Sequence, residues 1–192
     1  MSRILSLQTD GPFPDYDALR CAAYRFAKES GETGVSLVLV SAGEAPPVSV
    51  VANAPAGEAS VVLPLPEWER DYPWGTAYAF PGGVYAVGAR FSELPEPAEA
   101  FPEADRVYLM EFEREHARLS AVCYDPKTGE RFPVPRTAEG AAAAAMLLHR
   151  GLQNGTMETT IGQPGGILEI GMRKEAGRVT GLSAGGAVEV TK

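Results

Sequence analysis

The sequence has few of the side chains that bind metals or form disulfide bonds. Its 192 residues include two cysteines, Cys21 and Cys123, and two histidines, His116 and His149. A single cysteine pair does not make the disulfide framework that stabilises small secreted domains. No CxxC or HxxxH spacing occurs, so the pattern of a zinc site is missing. We therefore expect no metal, no cofactor and two thiols that lie in the core.

Long apolar runs and clusters of basic residues are missing as well. No apolar segment approaches the ~20 residues that cross a bilayer, and the N-terminal segment lacks the apolar core of a signal peptide. These features predict a cytoplasmic protein that does not enter the membrane. The net charge is -8, from 25 acidic and 17 basic side chains, which disfavours binding to nucleic acid. The hydrophobic fraction of 45% is ordinary for a globular protein with a core.

The order of predicted helices and strands occurs twice along the chain. In the first half, a strand precedes a helix capped by Asp15 or Asp17 and stopped by Gly31. The predicted elements of this half are Arg3–Gln8, a helix ending near Ser30, Val35–Val40, Val48–Val51 and Ala59–Leu63. The later copy consists of the helix Glu139–Arg150 and the strands Met157–Ile161, Ile167–Met172, Val179–Leu182 and Ala187–Val190. The offset is roughly 120 residues, which indicates one unit used twice.

The second half contains further strands ahead of its helix. They are predicted at Tyr78–Phe80, Val84–Gly88, Arg106–Glu111 and Arg118–Tyr124. The proline-rich stretch Pro64–Pro73 then marks the boundary, so the predicted domains are residues 1–70 and 71–192. The first domain has few residues before its helix, so we expect its repeat to be incomplete. The alanine run of the second helix lets backbone approach from several sides, which predicts an α+β fold with a mixed sheet wrapped around each helix.

Four segments of the sequence carry an ordered set of motifs. They are Asp10-Gly11 with Ala18–Tyr24, Phe80–Val87, Gly129-Glu130 with Thr137–Ala143, and Gln163–Ile170 followed by Gly185–Val188. In this order they resemble the diaminopimelate epimerase family, and the last segment also resembles the related phenazine-biosynthesis isomerase-like proteins. The resemblance spans nearly the whole chain. It implies two pseudo-symmetric units, each a sheet around a central helix, with an active site in the cleft between them.

The residues with which the family performs catalysis differ in this chain. Racemisation without a cofactor needs two opposed bases, and the family places one catalytic cysteine at each helix start. By the resemblance, these two positions fall on Asp15 and Thr137, whereas Cys21 matches a buried cysteine that is not catalytic. The arginine of the family's substrate-clamping pair falls on Pro126. We therefore predict a degenerate site without the two-thiol reaction.

Asp15 and Thr137 are the candidate catalytic residues because they occupy the two family positions. Asp15 would act as a lone carboxylate base, and Thr137 would donate a hydrogen bond to a ligand. Aspartate and threonine are also preferred residues at a helix N-cap, and a threonine hydroxyl without an adjacent base is a poor proton acceptor. The capping interpretation is favoured for both residues.

Four further residues are candidate ligand contacts. Arg136 precedes the second helix, where a guanidinium and backbone amides together suit a carboxylate or phosphate; an exposed loop arginine or a pair with Glu139 explains it equally well. Glu139 and Gly140 lie on the matching helix start. Glu130 lies on the matching Gly-Glu, and a solvated loop glutamate is the favoured alternative.

Three functional hypotheses remain open at this point. The first is a divergent epimerase-like protein without two-thiol activity that binds a small acidic metabolite or a partner chain, with a homodimer covering apolar surface. The second is a cofactor-independent isomerase of the phenazine type that uses a single carboxylate, Asp15 or Glu139. The third is a structural subunit whose site is completed by a separate chain.

Overall fold

The computed structural model describes residues 3–11, 13 and 15–188. The chain divides into two compact units. The first unit comprises the residues up to Val62 together with those from Ser183 onward, and the second comprises Leu63–Leu182. The domain division predicted at residues 70/71 stays a prediction. The joining of the C-terminal residues to the first unit is not evident from the sequence.

The first unit contains one helix and a mixed sheet. Its elements are β1 (Arg3–Thr9), α1 (Tyr16–Glu29), β2 (Val35–Ala42), β3 (Val48–Asn53) and β4 (Glu58–Leu63). Strand β1 pairs with β2 in parallel, and β2, β3 and β4 pair antiparallel in sequence order. The parallel pair requires a crossover connection, and α1 supplies it.

Helix α1 is amphipathic and packs one face against its sheet. Its buried apolar residues, Leu19, Ala23, Tyr24 and Ala27, recur at helical spacing and face β1, β2 and β3. The helix stops where Gly31 adopts a φ of 74°, a left-handed conformation that glycine adopts without steric cost. The predicted helix and its glycine stop are thereby confirmed.

The second unit contains an antiparallel-rich sheet, a long helix and further strands. Its elements are β5 (Trp68–Tyr72), β6 (Gly75–Phe80), β7 (Gly83–Gly88), α2 (Pro97–Ala100), β8 (Val107–Glu113), β9 (Arg118–Tyr124), β10 (Arg131–Val134), α3 (Ala138–Leu148), β11 (Gly155–Ile161), β12 (Leu168–Glu175) and β13 (Arg178–Ala187). One sheet has the order β10-β9-β8-β7-β6-β5, in which β7 and β8 are parallel. Strand β11 pairs antiparallel with β12. Strand β13 begins in the second unit and ends in the first.

Helix α3 is enclosed on all sides within the second unit. Ala141, Ala142, Ala143 and Ala144 are each 0% exposed, and the helix contacts β6 to β9 as well as β11 and β12. Methyl side chains keep the helix narrow, so strands approach its backbone from several directions. This arrangement confirms the prediction of a sheet wrapped around the alanine-rich helix. The fold is α+β, with two mixed sheets and two repeated units.

Several predicted boundaries were wrong. The stretch Pro64–Pro73 contains the strand β5, which pairs with β6 across the turn that joins Tyr72 to Gly75. The two strands predicted around Gly185 are one continuous strand, β13. A Cβ at Gly185 would lie 2.3 Å from the Ala59 oxygen, so this glycine permits close strand approach rather than a turn. The remainder of the predicted strand Ala187–Val190, beyond residue 188, lies outside the described residues.

Besides β5, three short elements among the described residues were not predicted from sequence. They are β10, α2 and a 3₁₀ turn at Phe91–Glu93, all in proline-rich or polar stretches.

Among the described residues, no helix combines the length and apolar character that crossing a bilayer requires.

Candidate functional site

The start of α1 is capped by its own carboxylate. Asp15 has extended backbone angles, φ -156° and ψ 174°, and its Oδ1 accepts a hydrogen bond of 2.7 Å from the Ala18 amide. Asp17, in the first turn, pairs with Arg20 at 2.9 Å. Both carboxylates thus satisfy groups of the helix itself. The favoured sequence interpretation of Asp15, a cap, describes its hydrogen bonding here.

Protein groups bond to Thr137, the N-cap residue of α3, from both sides. The Thr137 hydroxyl accepts a hydrogen bond of 3.2 Å from the Gly140 amide, the usual geometry of an N-cap. The side-chain amide of Gln163 brackets the Thr137 backbone. Its Oε1 accepts from the Thr137 N–H at 2.8 Å and its Nε2 donates to the Thr137 carbonyl at 3.3 Å. Thr137 is 7% exposed, so its hydroxyl serves the helix and is shielded from solvent.

Two stacked tyrosines lie against the start of α3. The rings of Tyr85 and Tyr108 are 4.3 Å apart and nearly parallel, at 2°. Burial raises the pKa of Tyr85 strongly, the charge of Glu139 raises it further, and a hydrogen bond with Thr137 opposes these effects. A phenol in this environment stays protonated at neutral pH. Tyr85 is therefore a neutral phenol, which can donate a hydrogen bond to a ligand and does not act as a base.

The second tyrosine connects this cluster to a guanidinium and a thiol. Burial raises the pKa of Tyr108, and a hydrogen bond with Arg106 partly opposes that rise. Burial also raises the pKa of the Cys123 thiol, although Arg106 and Tyr108 act in the opposite direction. Cys123 is 0% exposed. Because nucleophilic and basic chemistry requires a thiolate, this cysteine is a core thiol.

Neither cysteine lies at a helix start. Cys21 lies within α1 and is partly buried, and Cys123 lies within β9. A thiolate at a helix N-terminus gains stabilisation from the dipole and the exposed amides, and these two positions lack that environment. Within the described residues, no group of three or more histidine, cysteine, aspartate or glutamate side chains is arranged to hold a metal ion.

The other predicted contact residues lie in two places. Arg136, Glu139 and Gly140 gather at the start of α3, where the Arg136 guanidinium donates to the Ile167 carbonyl at 2.7 Å. Glu130 is exposed in the turn ahead of β10, and its carbonyl accepts a hydrogen bond of 3.0 Å from the Asp125 amide. Strand β10 separates this turn from the helix start.

The sequence alone indicated no role for three residues that lie at or near the start of α3, which are Gln163, Tyr85 and Tyr108. Gln163 and Tyr85 lie inside segments that carry the family resemblance, so their motifs were visible. Their interactions were not, because Thr137 and Gln163 are 26 residues apart and the contact follows no local periodicity.

Comparison with known proteins yields structural likeness only. No protein-family model matches the sequence, and no curated protein matches it. The chain is similar in structure to a predicted epimerase from Pseudomonas aeruginosa, with a TM-score of 0.56, 14% identity, and coverage of 91% of this chain and 71% of that one. It is also aligned with a hydroxyproline epimerase from Agrobacterium vitis, solved with trans-4-hydroxy-L-proline, at a TM-score of 0.47, 16% identity and coverage of 91% and 65%. The first likeness shows that the fold is epimerase-like.

Proposed function

We propose that this chain is an epimerase-fold protein that binds a small acidic metabolite and does not catalyse two-thiol racemisation. The observation that carries the proposal is the bonding of Thr137. Its hydroxyl caps Gly140, and its backbone is bracketed by Gln163. A threonine hydroxyl that caps a helix in this way is a poor proton acceptor, so Thr137 does not transfer a substrate proton.

The guanidinium of Arg136 and a helix start favour an anionic ligand at this position, and a second guanidinium interacts with the neighbouring tyrosine pair. Arg136 precedes Thr137, the N-cap residue of α3, and Arg106 interacts with Tyr108 of the stacked tyrosine pair. The positive end of the α3 dipole adds to their field, and guanidinium suits the geometry of a carboxylate. Glu139, in the first turn, opposes anion binding and limits the affinity.

Proton exchange with solvent tests the absence of catalysis. The protein is incubated in D₂O with a panel of amino acids and hydroxy acids, and deuterium at the α-carbon is measured by mass spectrometry. We expect no incorporation above the protein-free control. Sustained incorporation that requires the protein would overturn the non-catalytic part of the proposal.

Calorimetric titration with small mono- and dicarboxylic acids tests the binding part. Arg136→Gln is expected to weaken binding by about tenfold or more, because a charged hydrogen bond contributes ~1.5–3 kcal/mol. The matched control is Arg178→Gln, which makes the same charge change at an exposed position of β13. Equal losses in both variants would reduce the effect to net charge and contradict a site at α3.

A second candidate function is supported by the electrostatic interaction between Glu139 and Tyr85. The Glu139 charge is close enough to raise the pKa of Tyr85. In a single-base isomerase, the Glu139 carboxylate would take a proton from one carbon of the substrate. The neutral Tyr85 phenol would donate a hydrogen bond to the enolate that develops. Glu139 would then return the proton to another carbon of the substrate. Glu139→Gln separates the two functions: it should abolish deuterium exchange in an isomerase and strengthen acid binding in a binding protein.

A homodimer is the partner that the first unit favours. Ile4, Leu37 and Val51 are aligned across β1, β2 and β3, and Val35 lies on the same face two residues from Leu37. Ile4 is 63% and Val35 52% exposed, which is a substantial apolar surface. Sedimentation across a concentration series tests the dimer; Ile4→Gln should yield monomers, whereas a wild-type monomer at every concentration would refute it.

A further inference from the structure

A concave site lies in the second unit, lined by residues other than those named at the start of α3. It is a cavity of about 440 Å³ between the start of β5, the turn that joins β6 to β7, and residues 100–105. This volume suits a ligand of a few heavy atoms up to drug size. The residues that matter for its chemistry are Glu67, Trp68, Arg70, Phe101, Glu103 and Asp105.

Aromatic rings form one wall of the cavity. Trp68 and Phe101 stack with centroids 6.5 Å apart and an interplanar angle of 28°. The Arg70 guanidinium carbon lies 4.3 Å from the centre of the Trp68 ring. This distance is well inside the range of a cation–π interaction. The indole face at this cavity therefore already holds a cation supplied by the chain itself.

Carboxylates dominate the charge of the cavity. Glu67, Glu103 and Asp105 line it, and Arg70 is the cation among its lining residues. Three negative charges and one positive charge leave a formal charge of -2. All three acidic residues are solvent-exposed, so their carboxylates are hydrated and not buried. A carboxylic acid is repelled by this rim.

We propose that the cavity binds a small organic cation that carries an alkylammonium or alkylguanidinium group. The cationic head lies over Trp68 in place of the Arg70 guanidinium, the carboxylate rim neutralises it, and the alkyl part contacts Phe101. Aromatic faces lined by carboxylates recognise ammonium and guanidinium groups by their quadrupole and charge. Its lining residues differ from those of the proposed acid site, so the cavity goes beyond the proposed function.

Titration of the full chain with butylguanidinium and with butylammonium, followed by Trp fluorescence and calorimetry, tests this site. 1-Pentanol serves as the neutral probe of similar shape. We expect saturable binding of the cations that weakens as salt concentration rises, and no binding of the alcohol in the same range. Equal binding of the alcohol would overturn the proposal, as would no binding of either cation.

Four variants locate the effect. Trp68→Leu should weaken cation binding by about threefold or more, and Glu103→Gln should weaken it about two- to fivefold. Arg70→Gln should strengthen it about two- to fivefold, because the competing guanidinium is gone. Glu115→Gln, an exposed carboxylate outside the cavity, is the matched control and should leave affinity unchanged. Because Glu103 and Arg70 are exposed, their variants stay informative even if Trp68→Leu misfolds. Weaker cation binding by Arg70→Gln would refute the site. Equal losses of affinity in Glu103→Gln and Glu115→Gln would refute it as well.

Discussion

Replacing Gly140 with alanine tests how closely the start of α3 is packed. In an exposed helix this change stabilises a protein by about 1 kcal/mol, because glycine has the greater backbone entropy to lose. At this position a Cβ would lie 2.5 Å from Thr137 Cγ2 and 2.7 Å from Met110 Sδ. Thr137 is 7% and Met110 0% exposed, so neither side chain has solvent to move into. We therefore expect the opposite sign.

The magnitude follows from two competing effects. Overpacking a filled core costs ~1–3 kcal/mol, and two contacts below 3 Å place this site in the upper part of that range. Subtracting the helix-propensity gain of ~1 kcal/mol leaves a net loss of about 1–2 kcal/mol in the free energy of unfolding. For a chain of this size, that corresponds to a fall in Tm of about 2–8 °C.

Chemical denaturation and thermal melting of three variants measure the effect. Thr137→Ser keeps the capping hydroxyl and removes Cγ2, so the double variant Thr137→Ser with Gly140→Ala should recover more than half of the lost stability. Gly151→Ala is the matched control, because nothing lies within 4 Å of its added Cβ. A Gly140→Ala protein as stable as wild type, or no recovery in the double variant, would refute the close packing of Thr137 against Gly140.

Two further predictions concern buried and paired arginines. Arg20 is 5% exposed and donates hydrogen bonds to three backbone carbonyls of the first unit at 2.7–3.1 Å. Arg20→Met should therefore lower the free energy of unfolding, measured by denaturant titration, by about 2–4 kcal/mol. A loss below the error of the method would contradict this role. Hydrogen bonds from Arg150 and Thr76 hold the pKa of Asp71 below its usual range. A carboxylate of this kind stabilises the fold fully at pH values above its unfolded-state pKa. This stabilisation is lost as the pH falls through the folded-state pKa. Arg150→Gln should raise the pKa of Asp71 towards the ordinary aspartate value in an NMR titration, and an unchanged titration curve would count against the pairing.

Local sequence patterns determined the two longer helices, α1 and α3, and most of the strands. The α1 stripe, its Asp15 cap and its Gly31 stop are all properties of neighbouring residues, so they are readable without tertiary contacts. The alanine run of α3 also predicted that strands would surround the helix, because small side chains let strands pack closely against every face of it. The order of motifs was sufficient to predict the epimerase-like fold.

Tertiary structure decided which residues form the candidate site. Gln163 reaches Thr137 from a distant loop, and Tyr85 meets Tyr108 only because β7 and β8 pair in parallel register. The glycine of β13 that looked like a turn is instead a point of close strand approach. These outcomes depend on which segments become neighbours after folding. A sequence pattern with a period of two or 3.6 residues records the buried face of one element, but not the partner that this face meets.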